Sequence, residues 1–223
     1  MIFFFIFFAL LAGFHLYACY FHLDKLRMAT KPALLLSLAV FYACAARPMN
    51  GFVLAALLCG LMGDVFLLWP EDDAKFILGA ASFSLGHLLY SRVLYERLAL
   101  SAWKLSAWAI AVVTALYAVA VALASLHVMP SIQKPFLRRS MPVYFALVAL
   151  VGVGAWQTLL TASRAGADTF GASIIVAGAM LFFVSDTILA IRVFRKKGKN
   201  MNFWVMLTYI AAQFCLCLGF MKL

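Results

Sequence analysis

Hydrophobic residues fill this chain in eight long runs, and polar residues are largely confined to the short stretches between them. Alternating segments of about ten residues, the signature of a membrane β-barrel, are absent. Most of the runs approach the ~20 helical residues needed to cross about 30 Å of hydrocarbon. Helices are then the element that satisfies their backbone groups in lipid. The pattern predicts helices at residues 2–22, 32–47, 51–69, 76–95, 102–126, 139–161, 169–194 and 203–221, the second being the shortest. The expected fold class is all-α, a polytopic membrane protein built as a bundle of about eight transmembrane helices. Connections are short and free of low-complexity sequence, so residues 1–223 read as one transmembrane helical domain. The opening MIFFFIFFALL has no basic leader and no clear small-residue cleavage site, and reads as a retained helix rather than a signal peptide.

Composition agrees with this picture. The chain is 67% hydrophobic and 12% charged, where a soluble domain carries about 25% charge, and its mean hydropathy is +1.03. The formal charge of +10 would suggest nucleic acid in a soluble protein. Here the basic residues sit at helix ends, where they set topology and meet lipid headgroups. In chain order the odd loops carry Lys25, Arg27, Lys31; Lys75; Lys134, Arg138, Arg139; and Arg192, Arg195, Lys196, Lys197, Lys199. The even loops and the C-terminus carry Arg47, Arg92, Arg97, Lys104, Arg164 and Lys222. Twelve against six predicts odd loops in the cytoplasm and both termini outside. A chain this compact fits a multi-pass protein of a bacterial inner membrane, and sequence leaves its oligomeric state open. Five cysteines lie in apolar helices without a CxxC, and read as packing residues.

Two acidic residues break the pattern. Six of the eight fall in or beside polar connections, but Asp64 and Asp186 lie inside membrane-length apolar runs. An aspartate at the centre of a membrane helix costs about 2.5–3.5 kcal/mol on insertion scales. Asp64 is five residues before Trp69, roughly 8 Å inside the odd-loop boundary. Asp186 is nine residues before Arg195, and its helix runs the same way. From that same side come Tyr209 and Gln213, an i,i+4 pair, together with Pro142-Tyr144 and Thr30-Lys31-Pro32. Thr30 reads as an N-cap and Pro32 as a first helical residue. Polar groups from five helices thus converge on one leaflet half. The bland reading of the two aspartates is an interhelical hydrogen-bond lock. The sharper one is a proton-sharing pair facing one cavity, the arrangement by which two carboxyl groups become acid and base.

Lys31 is either a snorkelling interfacial lysine or, with a helix N-terminus, an anion site for a lipid phosphate. Gly79, Ser82, Phe83, Gly86, His87 and Tyr90 form one helical stripe. Small residues there suggest close packing, while His87 and Tyr90 must find partners in hydrocarbon. Other chemistries lack their signatures: His15, His22, His87 and His127 are scattered without zinc spacing, and no serine-nucleophile or phosphate-loop motif occurs. No cofactor or metal is implied. Gly63-Asp64-Val65-Phe66-Leu67-Leu68 echoes Ser185-Asp186-Thr187-Ile188-Leu189-Ala190, but six residues are too few to establish an internal duplication.

Taken together, these blocks resemble the YhhN family of membrane-bound lysoplasmalogenases over nearly the whole chain. The blocks are Thr30-Lys31-Pro32; Gly63-Asp64 with Leu67-Leu68; Phe76, Gly79, Ser82-Phe83, Gly86-His87 and Tyr90; Pro142-Val143-Tyr144; Gly178-Ala179, Phe182-Phe183, Ser185-Asp186, Leu189-Ala190 and Phe194; and Tyr209 with Ala212-Gln213. The resemblance implies hydrolysis of the vinyl ether bond of a lysoplasmalogen to a fatty aldehyde and a glycerophospho-base. It implies a lysophospholipid substrate among membrane lipids, with no nucleic-acid partner. It matches the family's two catalytic aspartates to Asp64 and Asp186. The chemistry suits two carboxyl groups: protonating the vinyl carbon makes an oxocarbenium ion, water adds, and the hemiacetal collapses. Lys31, Ser82, His87, Tyr90, Tyr144, Ser185, Tyr209 and Gln213 are the substrate-binding candidates. Two alternatives compete, a proton-coupled small-molecule transporter and a non-catalytic lipid-binding membrane protein.

Overall fold

The computed structural model describes residues 2–195, 198 and 200–223. These residues form eight α-helices: α1 (Ile2–Tyr20), α2 (Asp24–Ala45), α3 (Gly51–Phe66), α4 (Asp73–Leu100), α5 (Ala107–Val128), α6 (Pro135–Arg164), α7 (Phe170–Arg195) and α8 (Met201–Lys222). Seven are long and apolar enough to cross a membrane, and α3 is a shorter apolar helix of 16 residues. The chain is therefore a multi-pass membrane protein of the expected all-α class. Its outer faces carry what water would not tolerate: Ile2, Phe3 and Leu10 on α1, and Trp108, Leu116 and Leu126 on α5, are exposed. One buried apolar cluster draws on all eight helices.

Local chemistry sets several helix ends. The Asn50 side chain accepts from the Phe52 and Val53 amides at 2.9 and 3.4 Å and starts α3. Asp72 does the same for α4 through Ala74 and Lys75. Both satisfy amides that a helix start leaves without partners.

Two expected helix starts move earlier in the chain. The second helix begins at Asp24, not at residue 32, so Pro32 lies inside it and Thr30 is no N-cap. The sixth begins at Pro135, with Pro142 internal. A proline inside a helix removes one amide donor, but a bundle can compensate for that through neighbouring groups. For α2, an Arg27–Asp24 ion pair at 3.0 Å extends the helix into what reads as loop. The short helix is consequently α3, not α2.

The ends of the helices segregate as alternating antiparallel spans require. At the odd-loop end, Lys134 pairs with Asp73, Arg195 reaches the His127 ring, and Phe76 packs edge-on against Phe194 at 5.3 Å. Lys196, Lys197 and Lys199, counted in the charge bias, lie outside the described residues.

Small residues bring α7 and α8 together. A Cβ on Gly178 would sit 3.0 Å from the Ala212 carbonyl and 3.0 Å from Leu216, and one on Gly219 would sit 3.0 Å from the Gly171 carbonyl. The stripe glycines of α4 play the same part, with Gly86 facing the Ala56 carbonyl at 3.1 Å and Gly79 facing Leu67 at 2.8 Å. Substituting Gly178→Val is expected to destabilise the fold in detergent by about 1–3 kcal/mol, since the two helix backbones must separate. Gly13→Ala, which meets nothing within 4 Å, is expected to stay within about 0.5 kcal/mol. Equal unfolding midpoints for the two variants would contradict the close packing of α7 on α8.

Candidate functional site

The site begins with where α3 and α7 place their aspartates. Asp64 is 2% exposed and Asp186 5% exposed, so both are buried. A carboxylate buried this deeply needs partners. Asp64 has two, one on each oxygen. Tyr209 of α8 donates to Oδ2 at 2.8 Å, and the Lys31 ammonium of α2 lies 3.5 Å from Oδ1. Asp186 has one: Tyr144 of α6 donates to its Oδ2 at 2.5 Å. Three neighbouring helices, α2, α6 and α8, therefore supply the polar partners of two carboxyl groups.

Both aspartates line one narrow cavity of about 30 Å³. Lys31, Ser185 and Tyr209 line it with them, as do His15, Arg27, Arg192 and Asn202, between apolar walls that include Leu67, Phe83 and Leu189. The volume is about that of one water molecule. Three basic side chains against two carboxyl groups give the cavity a surplus of positive charge. The surroundings are apolar, so these charges act at short range with little screening.

Behind Tyr209 runs a second tier. Its hydroxyl accepts from Gln213 Nε2 at 3.5 Å, and Tyr90 donates to Gln213 Oε1 at 3.4 Å. Phe83 and Phe182 hold the Tyr209 ring edge-on at 5.9 and 5.6 Å. The ring orientation, and with it the hydroxyl on Asp64, is fixed by packing as well as by hydrogen bonds.

The candidates named from sequence thus divide. Asp64, Asp186, Lys31, Ser185 and Tyr209 share the cavity. Tyr144 joins through Asp186, and Gln213 and Tyr90 join through Tyr209. Ser185 turns its hydroxyl to the Val205 carbonyl at 3.1 Å, tying α7 to α8. Ser82 stands apart and donates to its own helix at Leu78. His87 packs edge-on against Phe182 at 4.3 Å, and its buried Nε2 has no hydrogen-bond partner among the described residues. Lys31 lies in the interior of α2, so the expected anion site at a helix N-terminus does not form there. Nor is it a snorkelling lysine, because its ammonium is committed to Asp64.

Four cavity residues escape a reading of the sequence. Arg27 and Arg192 look like topology charges because each is close to a predicted helix end. His15 sits in an apolar helix, and its partner is 15 residues away: Nδ1 is 2.7 Å from Thr30 Oγ1, whose hydroxyl also reaches the Leu26 carbonyl at 2.8 Å. With that hydroxyl proton on Leu26, His15 Nδ1–H donates to Thr30 and Nε2 accepts from Cys19 at 3.4 Å. Cys19 is therefore part of this polar edge as well as a packing residue. Asn202, in the first turn of α8, offered no signal beyond its polarity.

Known proteins resemble this chain over most of its length. The YhhN family model matches residues 26–220, which takes in both aspartates and every residue of the cavity except His15. The human protein named lysoplasmalogenase TMEM86A is 26% identical over 175 residues, covering 78% of this chain and 67% of that protein. The Sus scrofa protein named lysoplasmalogenase TMEM86B is 29% identical over 164 residues, covering 74% of this chain and 61% of that protein. The matched region is thus about two thirds of the length of these relatives or less. No solved structure matches the chain. A match over 195 of 223 residues, from 26 to 220, makes this chain a member of the YhhN family.

Proposed function

We propose that this protein is a hydrolase that cleaves the vinyl ether bond of a lysoplasmalogen, releasing a fatty aldehyde and a glycerophospho-base. The observation that carries the reading is the pairing of unlike carboxyl groups on one buried cavity. Asp64 is held by an ammonium and a phenol, whereas Asp186 is held by a phenol alone. The names of the two relatives supply the substrate class.

The asymmetry suggests the division of labour. Asp64, beside Lys31, serves as the carboxylate. Asp186, with no cation on it, serves as the acid: it gives its proton to the vinyl carbon, and Tyr144 holds its other oxygen in place. The C=C π electrons form the new C–H bond, and the ether oxygen's lone pair stabilises the resulting oxocarbenium ion. Asp64 stabilises that cation across the cavity. A water molecule adds to the cationic carbon and gives a proton to the Asp186 carboxylate, restoring it. The hemiacetal then collapses to aldehyde and alcohol. Two carboxyl groups manage an oxocarbenium-like state in glycoside hydrolysis by the same logic.

A cavity of about 30 Å³ holds the reacting atoms and a water, not a lipid. The tail must lie elsewhere. A groove of about 470 Å³, lined almost wholly by apolar side chains such as Leu116, Trp156, Leu160 and Phe183, opens between α5, α6 and α7. Its Phe183 and Val184 precede Asp186 by three and two residues. We assign it to the alkenyl chain, entering sideways from the bilayer. The charge bias further orients the odd-loop end, and with it the cavity, toward the cytoplasm.

The decisive assay follows aldehyde release from lysoplasmenyl-ethanolamine by purified protein in detergent. Asp64→Asn and Asp186→Asn are each expected to lower turnover by about 10²-fold or more while the unfolding midpoint shows a folded protein. Full activity in both would refute the site. Lys31→Met leaves Asp64 buried without its cation, and is expected to destabilise the fold by about 3–5 kcal/mol. Adding Asp64→Leu to that variant should recover much of the loss, and a denaturant titration that shows no recovery would argue against the ion pair. A glyceryl vinyl ether lacking the tail is expected to react far more slowly than the long-chain lipid. Equal kcat/KM for the two would exclude the groove.

A further inference from the structure

Arg192 faces two spaces at once. It lines the cavity of the aspartates, and it also lines a hollow of about 460 Å³ at the odd-loop end, with Glu71, Asp73, Phe76 and Phe194. Among the described residues Arg192 makes no ion pair, although it is only partly exposed. The other two cations of the inner cavity are engaged, Lys31 with Asp64 and Arg27 with Asp24. Of the two acids of the hollow, Asp73 is engaged with Lys134. Exposed Glu71 makes no ion pair among the described residues. Among the described residues, one guanidinium and one carboxylate lining this space are thus without an ion-pair partner.

We propose that this hollow is a subsite for a zwitterionic phospho-amine headgroup, with Arg192 taking the phosphate and Glu71 the ammonium. The inference rests on the hydrolase reading for the bond that is cut, and on the hollow itself for binding. A guanidinium presents paired donors that match phosphate oxygens. Arg192 is six residues beyond Asp186 on α7, about 9 Å along the axis. A phosphate on Arg192 therefore sends the glycerol carbons toward Asp186 and the tail on toward Phe183. One helix would order headgroup, reacting bond and chain. The role first given to Lys31 passes to Arg192, because Lys31 is spent on Asp64.

The test uses two lysolipids with a saturated alkyl ether tail, which this chemistry cannot cleave: one with a phosphoethanolamine head, one with phosphoglycerol. Dissociation constants are measured on the whole protein in detergent, with inorganic phosphate as competitor. Arg192→Gln is expected to weaken both lipids by on the order of tenfold or more, and Arg192→Lys by less. Glu71→Gln is expected to weaken the ethanolamine lipid about threefold more than the phosphoglycerol lipid. Unchanged affinities in folded Arg192→Gln protein, or an unchanged ratio in Glu71→Gln, would overturn the subsite. So would inorganic phosphate that competes as well as the lipid does, since a generic anion site would then suffice. If Arg192→Gln fails to fold, the Glu71→Gln ratio decides, because that residue lies in an exposed loop. Headgroup discrimination without any vinyl ether turnover would sink the hydrolase reading and keep the subsite. Turnover without discrimination would do the reverse.

Discussion

Everything in this bundle is arranged around one constraint: two carboxyl groups are buried in a membrane protein and must be satisfied there. Water is absent from the surrounding hydrocarbon, so the partners have to come from neighbouring helices. Lys31 arrives on α2, Tyr144 on α6 and Tyr209 on α8, each within hydrogen-bond or ion-pair reach. Removing one partner from such a set leaves a buried group uncompensated. The same contacts that give the aspartates their setting therefore hold α2, α3, α6, α7 and α8 in register. Small residues tighten that register: Gly178 and Gly219 let α8 approach α7 closely, and on α3 a Cβ at Gly60 would sit 3.2 Å from Gln213 Nε2 of α8.

The two carboxyl groups are not equivalent, and their difference is the source of the proposed chemistry. An ammonium beside one of them and a lone phenol beside the other separates an anion from an acid. The cavity between them is too small for anything but the reacting atoms. Substrate recognition is thereby pushed outward along α7, to an arginine on the loop side and an apolar groove on the lipid side. A long amphiphile laid along one helix would have its labile bond presented at the aspartates without any large internal pocket.

Much of this was legible in the sequence because apolar run length and misplaced charge are strong signals. Eight helices, their alternation and the convergence of Asp64, Asp186, Tyr144, Tyr209 and Gln213 follow from counting residues along spans of known rise. What the sequence obscured has physical causes. Proline is ambiguous: Pro32 reads as a helix start, yet it lies inside a helix that a bundle can support. Charges near helix ends are ambiguous too, since Arg27, Lys31 and Arg192 look interfacial until packing turns them toward a cavity. His15 carried no signal, because its partner Thr30 belongs to the next helix. Ser82 and His87 share a stripe with Phe83, but of that stripe only Phe83 lines the cavity. Cavity size, finally, is a property of packing and has no trace in a linear pattern.

The central claim is that Asp64 and Asp186 act in opposite protonation states on one substrate. It is tested most directly by the pH dependence of kcat/KM for lysoplasmenyl-ethanolamine, measured for the wild type and for Asp186→Asn. The account predicts a bell for the wild type, because one group must be ionised and the other protonated. In the residual activity of Asp186→Asn, the limb that falls as pH rises should be missing. A wild-type profile with a single limb, or a bell that Asp186→Asn leaves intact, would contradict it.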